Sequence, residues 1–537
     1  MKRITILAYL FFFAYELSAQ TPNNYQQYSF PQTQRLDSII YNTGNKFHSS
    51  IKPVFSDHPV FHALGDTVQL DPDTIRKSWL HRKLFHEHLI EINKPEYSVY
   101  ADFLPDFLVG KDSQSGTTWL NTRGFQLGGS IGKKFSFYTS GYENQAKLAG
   151  YLTDFVNEHQ IVPGQGIESH VLTQTTAAAK FDDWAYSSAV LSFTPSKYIN
   201  LTLGQDKHFI GDGYRSMLLS DLSSNYPFFK ATFELGNVRF MSFWAQMQDI
   251  RAPILSYENG FRKKWGVFHY ADWNVNERLS IGFFESIIWQ DADSTGKRGF
   301  DFAYINPLVF LRPVEKQLGS PDNSMLGLNL KYELSNNIVA YGQFVLDEFR
   351  ASDFFSNTGD WRNKWGMQLG VRGYDPFAIK GLHYLAEFNT ARPYTYSHRA
   401  PIINYGHYNQ PLAHPMGANF REFVTIWQYS YKRWNLLGQI NSARYGLDEG
   451  GKNYGKDIYR SYDEQRIGDT GNHITQGIKT DFLYIDGRIS YLLNPKTNLR
   501  FELGGVIRRE KNTFASNQTN WLTFGLRSSL RNLYQDF

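Results

Sequence analysis

The sequence contains no cysteine among its 537 residues, and this absence excludes several classes of protein. Without cysteine there is no disulfide scaffold, no thiolate metal site, no cysteine nucleophile and no cysteine to carry a lipid anchor. An excess of one charge is also missing, because 55 basic and 51 acidic side chains leave a formal net charge of only +4. Such a balance does not fit a nucleic-acid-binding surface, so no nucleic acid is expected as a partner.

Long apolar runs are missing as well. Beyond the first twenty residues, no stretch approaches the roughly 18 apolar residues that a membrane-spanning helix needs, so the mature chain is not expected to be a helical membrane protein. Aromatic side chains, in contrast, are abundant: 12 Trp, 34 Tyr and 42 Phe make up 16% of the chain. A disordered chain is poor in aromatic residues, so the sequence predicts a folded protein.

The first residues predict export. Lys2 and Arg3 precede an apolar run over residues 4–15, and the small pair Ser18-Ala19 comes before Gln20. A basic start, a short apolar run and a small-residue cleavage site are typical of a secretory signal peptide. We therefore assign residues 1–19 to a signal peptide.

After Pro95 the sequence falls into segments that alternate between apolar and polar residues. In residues 325–334, leucine and tyrosine at every second position oppose Gly, Asn, Lys and Glu at the positions between them. Side chains of a strand point alternately to its two faces. Segments of about ten such residues with many aromatics favour a membrane β-barrel with an apolar exterior, although a soluble β-sandwich gives the same local pattern.

The spacing of these segments decides between the two architectures. We count eighteen candidate strands, and every second connection is short and rich in turn formers, as at 194–197, 335–337 and 494–496. The intervening connections include five long ones: 144–183, 207–225, 290–323, 391–420 and 445–476. Loops that are short at one rim and long at the other are typical of outer-membrane barrels. The predicted fold is therefore mainly β, an antiparallel outer-membrane barrel of about 18 strands spanning residues 96–537, with both termini at the periplasmic rim. The final strand is expected over residues 521–530, with a terminal aromatic, Phe537, just after it.

Residues 20–95 differ from the barrel region. Asp71 and Pro72 have the features of a helix start, and apolar residues then recur at helical spacing until Pro95. A shorter helix is expected over residues 36–41. We therefore predict a periplasmic helical N-terminal region, packed at the end of the barrel.

Loop 391–420 is the first candidate binding region. Its tyrosine rings lie beside imidazole and amide groups, a combination that suits stacking on sugar rings and hydrogen bonding to their hydroxyls. Two other interpretations stay open: a folded-in loop packed by its own Tyr and Pro, and a metal site built from three His. The candidate polysaccharide-binding residues are Tyr394, Tyr396, His398, Tyr405, His407, Tyr408 and His414.

The glycine-rich segment 204–215 is the second candidate region. Its glycines would allow tight turns beside a ligand, but it lacks the G-K-[ST] ending of a P-loop. The alternative is a barrel loop folded inward as a plug. This segment adds four candidate residues: Asp206, His208, Tyr214 and Arg215.

Signs of catalysis or metal binding are weak elsewhere. His81, His86 and His88 lack the H-E-x-x-H spacing of metalloproteases, and the acidic loop 445–476 lacks the EF-hand pattern. There is no G-x-S-x-G motif, and a glycosidase pair of carboxylates cannot be identified from the sequence. We expect no enzyme activity, no cofactor and no resident metal.

Several segments resemble the capsule assembly Wzi family. The segment GQDKHFIGDGYRSMLLSDLSSNYPF, at 204–228, is similar to the family's glycine-rich stretch, and 305–349 contains its N-P, S-P-D-N and L-D-E-F pieces. The chain resembles more closely the Bacteroidetes branch of that family, which includes the gliding motility protein RemB. This likeness is carried by RKLFHEHLIEI (82–92), TTWLNTRGFQLGGSIGKKFSFYTSG (117–141) and RPYTYSH with NYGHYNQPLAHPMGANF (392–398 and 404–420). One departure is that Tyr214 stands where the family often has Trp.

The resemblance implies an eighteen-stranded outer-membrane barrel with a periplasmic helical bundle and a lectin-like role. The function expected first is attachment or assembly of capsular or extracellular polysaccharide at the cell surface. A gliding-motility accessory or adhesin is the alternative, and a passive outer-membrane channel is a second one. The expected partners are surface polysaccharide, outer-membrane lipid and periplasmic or gliding-machinery proteins.

Overall fold

The computed structural model describes residues 25–41, 47–55, 77–169, 181–307, 322–347 and 358–537, together with residues 313, 314, 317 and 319. Within these residues, eighteen antiparallel strands close into one barrel, which confirms the predicted fold class. The strands are β1 (Tyr97–Asp112), β2 (Gly116–Ile131), β3 (Phe135–Lys147), β4 (Asp182–Ser196), β5 (Ile199–Asp206), β6 (Tyr226–Leu235), β7 (Val238–Asp249), β8 (Arg262–Asn274), β9 (Leu279–Gln290), β10 (Asn323–Ser335), β11 (Ile338–Asp347), β12 (Lys364–Tyr374), β13 (Leu382–Ala391), β14 (Phe420–Tyr431), β15 (Trp434–Leu447), β16 (Ile478–Asn494), β17 (Leu499–Lys511) and β18 (Ser516–Ser528).

Each strand pairs with its neighbour in the sequence, and the first and last strands close the ring. The closing register runs from Trp521 opposite Asp112 to Leu526 opposite Phe107. A short additional strand, Ile90–Asn93, pairs with the beginning of β1. None of the helices in the described residues combines the length and the apolar character that a membrane crossing requires.

The alternating pattern of β10 has the predicted orientation. Leu328 and Leu330 are exposed on the outside of the barrel, whereas Asn329, Lys331 and Glu333 are buried in the lumen. The aromatic residues that flank the tight turn at 432–433, Tyr431 and Trp434, are exposed as well. The barrel therefore has an apolar exterior and a polar interior, as an outer-membrane barrel requires.

Connections at the two rims differ in length. Tight turns such as 197–198, 236–237 and 336–337 lie at one end, here called the short-turn rim. The long connections 148–181, 207–225, 291–322, 392–419 and 448–477 lie at the opposite end, the long-loop rim. The expected strict alternation is wrong at two places, because the short connections 113–115 and 512–515 also lie at the long-loop rim.

Four α-helices accompany the barrel in the described residues. They are α1 (Phe30–Gln34), α2 (Asp37–Ile40), α3 (Trp79–Phe85) and α4 (Gly150–His159). The helix expected after Asp71 is shorter than predicted: Ser78 caps it by accepting the backbone N–H of His81, and the chain leaves it after Phe85. Its proposed start at Asp71 and Pro72, like the signal peptide 1–19, lies outside the described residues.

Residues 25–41 and 47–55, here called the N-terminal stretch, lie inside the barrel, whereas α3 and the strand Ile90–Asn93 lie at the short-turn rim. Residues 51–52 pair with Phe209–Ile210 of the long connection 207–225, and α2 bonds to β12 through Asp37 and Arg372. Polar side chains of the lumen need partners once water is excluded, and this stretch supplies them.

The end of the chain also differs from the expectation. β18 stops at Ser528, and residues 529–537 turn back into the lumen, where Tyr534 and Asp536 are buried. Phe537 therefore lies away from the end of the last strand, and its ring centroid is 4.5 Å from that of Phe155 in α4. The buried partners of Asp536, described below, explain why this segment leaves the barrel wall.

Candidate functional site

The glycine-rich connection 207–225 fills the centre of the lumen. Residues 208–225 are all buried, so the inward-folded alternative is the arrangement that the structure has. We call this connection the plug. The side-chain amide of Gln343 in β11 binds its backbone at two points: the nitrogen donates to Ile210 O (2.9 Å) and the oxygen accepts the N–H of Met217 (2.7 Å). The plug is therefore tied to the barrel wall through its backbone.

The two glycines of this plug allow close approach to the wall. A Cβ at Gly211, which has a φ of +141°, would overlap the amide of Gln343, and one at Gly213 would overlap the carboxylate of Glu387. That carboxylate accepts the N–H groups of Tyr214 (2.9 Å) and Arg215 (3.1 Å). The glycines thus allow the plug backbone to pack closely against the barrel wall.

Asp212, between these glycines, bonds the plug to the N-terminal stretch. It accepts the hydroxyl groups of Tyr41 (3.1 Å) and Ser49. Burial raises the pKa of Asp212, but the charges of Lys331, Lys52 and Arg372 outweigh this effect and hold its pKa below the usual value. The carboxylate is therefore ionised and compensated inside the barrel.

Arg215 joins the plug to the end of the chain. Its guanidinium donates to Glu422 (3.0 Å) and to Asp536 (2.9 Å), and only 2% of its surface is exposed. Asp536 also accepts the hydroxyl of Tyr214 (2.9 Å). A second link follows nearby, because Tyr534 donates to Asp221 (2.7 Å). The C-terminal segment is therefore bound to the plug inside the lumen.

Loop 392–419 forms a cap over this plug, and most of its predicted contact residues are buried in it. Tyr396 donates to Met217 O (2.8 Å) and Tyr405 to Leu218 O (2.6 Å), so both rings lie against the plug. Tyr394 donates to Asn453 O (2.8 Å) in the neighbouring loop. Protein atoms cover the ring faces that we expected to stack on sugars.

The four histidines among the predicted residues are similarly engaged. His414 pairs with Glu422 (2.7 Å), His398 accepts the N–H of Ala400 (3.0 Å), and His208 stacks on Phe243 with ring centroids 4.4 Å apart. Within the described residues, no group of three or more potential metal ligands converges. The remaining predicted residue of the glycine-rich segment, Asp206, accepts the hydroxyl of Tyr25 from the N-terminal stretch.

His407 connects the cap to the wall. Its Nδ1 accepts the backbone N–H of Gln248 (3.0 Å), and its Nε2 lies 3.2 Å from Asn225 O. Because one nitrogen accepts, the other carries the proton, and the neutral ring satisfies both contacts. Burial lowers the pKa of His407 to about 3, which keeps the ring neutral.

Tyr408 is the one predicted residue that is only partly covered. Its ring stacks on His407 with a centroid distance of 4.4 Å, and the side chain as a whole is half-buried. Tyr459, also half-buried, donates to Gln410 O (2.9 Å), and the guanidinium of Arg251 lies 4.8 Å from the Tyr459 ring centroid. Arg251 in turn pairs with Asp457 (3.4 Å).

We call the group of Arg251, Tyr408, Asp457 and Tyr459 the Tyr408 patch, because Tyr459 bonds to Gln410, two positions after Tyr408 in the cap. It combines aromatic rings with charged donors and acceptors, the groups that recognise sugars. Three of its members were not among the predicted site residues, since they come from two other loops, 250–261 and 448–477. Spacing along the chain carries no signal for contacts between separate loops, so only the cap member Tyr408 could be found from the sequence.

Comparison with known proteins gives a likeness in fold only. No family model matches the chain, and no curated protein matches it. Among solved structures, the chain is similar to Wzi of Escherichia coli, described as a carbohydrate-binding β-barrel of the outer membrane involved in group 1 capsule assembly. The TM-score is 0.53 at 12% identity, over 94% of this chain and 100% of that one.

Two Pseudomonas aeruginosa proteins give lower scores. OprD gives a TM-score of 0.42 at 8% identity, over 80% of this chain and 94% of that one. OccD3 gives a TM-score of 0.42 at 10% identity, over 84% of this chain and 97% of that one. At these scores neither carries an argument about this chain. The barrel described above therefore has a Wzi-like fold.

Proposed function

We propose that this protein is a non-enzymatic outer-membrane barrel that attaches or assembles capsular or extracellular polysaccharide at the cell surface. The observation that carries the proposal is a Wzi-like barrel whose lumen is filled by a plug and whose loop 392–419 forms a cap over that plug. The apolar exterior of the strands fits outer-membrane lipid as the surrounding medium. In this proposal the long-loop rim faces outward and the short-turn rim faces the periplasm.

The Tyr408 patch is the proposed contact for the polysaccharide. Its two tyrosines are half-buried and belong to connections of the long-loop rim, where a polymer outside the cell would meet the protein. Among the residues singled out from the sequence, we carry forward Tyr408 for direct contact, since the others hold the cap and the plug together.

The alternative of a passive channel receives less support. Residues from the N-terminal stretch, the plug, the cap and the C-terminal segment meet inside the barrel. Such a filling opposes free diffusion through the lumen, and it agrees better with a protein that acts at its outer surface.

The test is a deletion of the gene, followed by measurement of cell-bound and released polysaccharide side by side. We expect polysaccharide to move from the cells to the medium at constant total. The deletion is then complemented with Tyr408→Ala or with Tyr198→Ala, a matched change of an exposed tyrosine at the short-turn rim. Retention should fall for Tyr408→Ala only, and an unchanged partition in the deletion strain would contradict the proposal.

A role in gliding motility is the second proposal, and it rests on the segments that resemble the branch containing RemB. One of these segments, residues 82–92, forms the end of α3 and the strand Ile90–Asn93 at the short-turn rim. This role predicts that the deletion strain spreads poorly while its polysaccharide partition is normal. The same strain therefore distinguishes the two proposals.

A further inference from the structure

A cavity rich in arginine lies in the half of the lumen nearest to the short-turn rim, away from the Tyr408 patch. It has a volume of about 150 Å³ and lies between α1, the C-terminal segment and strands β15–β18. Five arginines and two carboxylates are among its lining residues: Arg35, Arg488, Arg500, Arg527, Arg531, Asp486 and Glu502.

Three of the arginines share the available carboxylates. Glu502 lies 2.8 Å from Arg500, 3.0 Å from Arg527 and 3.6 Å from Arg488. Arg488 also pairs with Asp486 (2.7 Å). Arg527 has a further partner in Asp106, outside the cavity lining, at 2.8 Å. These three carboxylates therefore balance three guanidinium charges, and Arg35 and Arg531 remain as an excess of positive charge.

The two remaining arginines also have unused hydrogen-bond donors. The Nε atoms of Arg35 and Arg531 and the Nη1 atom of Arg531 are buried without a hydrogen-bond partner among the described residues. The Arg531 guanidinium lies 3.9 Å from the ring centroid of Tyr142, which orients it without using its N–H groups. Burial and the charge of Arg500 lower the pKa of Arg35 to about 10, which shows how poorly its charge is compensated.

We propose that this cavity is a binding site for a small oxyanion, held by Arg35 and Arg531 beside Arg500. The planar guanidinium fork matches the oxygen atoms of phosphate, sulfate or carboxylate, and a buried charge-assisted pair of this kind is strong. The volume accommodates a phosphate or a single acidic sugar with water. The anion is either free or a substituent of a saccharide that reaches the lumen from the short-turn rim.

The test uses the full-length protein, purified in detergent and titrated calorimetrically with inorganic phosphate, sulfate, galacturonate or neutral galactose. We expect saturable binding of the anions and none of galactose. Tighter binding of galacturonate than of phosphate would identify a saccharide-borne carboxylate, and the reverse order a free or esterified phosphate. Arg35→Gln and Arg531→Gln should each weaken anion binding by about tenfold or more, because each removes a guanidinium that the anion would contact. The Nε atoms of both arginines and Nη1 of Arg531 bond to no described residue, so these substitutions break no hydrogen bond of those atoms.

Arg444→Gln is the matched control, since Arg444 is exposed outside the barrel and pairs with Asp481 there. It removes the same charge and should leave anion binding unchanged. Folding of each variant is checked by the shift in gel mobility that a folded barrel shows on heating. Absence of heat with every anion, or equal weakening by Arg35→Gln and Arg444→Gln, would overturn the proposal without touching the role of the outer surface.

Discussion

A single buried arginine connects three separate parts of this chain. Arg215 belongs to the plug, Glu422 to the barrel wall and Asp536 to the C-terminal segment, and the guanidinium bonds to both carboxylates. Burial lowers the pKa of Arg215, but Asp536 and Glu422 outweigh this effect and hold the pKa above its usual value. His414 adds a bond to Glu422 (2.7 Å), so the cap joins the same network.

Replacing this arginine should loosen the plug. Arg215→Met leaves two buried carboxylates without their cation, and breaking a buried pair in this way typically costs about 3–5 kcal/mol. We expect urea to expose the plug at a clearly lower concentration, measured by the rate of proteolysis within residues 207–225. Arg444→Met, which removes an exposed ion pair, should have no measurable effect because solvent screens that pair. Equal behaviour of the two variants would show that the network does not hold the plug.

At the scale of the elements, the strands could be predicted and the filling of the barrel could not. The alternation in segments such as 325–334 reflects the two environments of a barrel wall, so it marks each strand locally. Tight turns at 236–237 (Gly-Asn) and 336–337 (Asn-Asn) carry their own sequence signals. The connections 207–225 and 392–419 are polar and aromatic, and a loop at the surface would have the same composition.

Burial limits which of the predicted site residues a polymer outside the barrel could reach. Tyr396 and Tyr405 have the chemistry of sugar contacts, but their hydroxyl groups bond to the plug backbone. The partners lie about 180 positions away, with separations of 179 and 187 residues. Contacts over such separations depend on barrel closure and on which loops fold inward. No local pattern encodes either of these.

The cap should respond to pH through His407. Its pKa is about 3 in the folded protein against 6.5 in an open loop, so the open state binds a proton first. The neutral ring makes its full contribution to the free energy of opening the cap above pH 6.5. This contribution falls by about 1.4 kcal/mol for each pH unit between 6.5 and 3. A proton on Nδ1 would also oppose the N–H of Gln248. We expect hydrogen exchange across residues 404–411 to accelerate as the pH falls below about 5, after correction for the intrinsic rate.

His407→Asn is the variant that tests the assignment, since its amide offers a donor and an acceptor without titrating. Hydrogen exchange across residues 404–411 of this variant should lose most of its pH dependence, even where it is faster overall than in the unaltered protein. His473→Asn, a change of an exposed histidine in loop 448–477, should exchange as the unaltered protein does. A pH dependence that survives in His407→Asn would assign the response to another group of the cap.

For the whole molecule, the decisive property is a lumen closed by four segments from distant parts of the chain. The N-terminal stretch bonds to the plug through Ser49 and Asp212, the cap through Tyr396, and the C-terminal segment through Asp536. A barrel of this size without such a filling would contain a water-filled passage. We therefore expect the full-length protein to conduct almost no current in planar lipid bilayers.

Replacing residues 209–223 with a short Gly-Ser linker should open the passage, because it removes both the plug and the anchor of the C-terminal segment. Discrete current steps are the expected readout. The same linker at the exposed residues 253–257 serves as the control and should leave the bilayer silent. If the full-length protein conducts as freely as the variant without its plug, the filling is not a barrier. The passive channel then becomes the better explanation of this barrel, even where polysaccharide is retained at the cell surface.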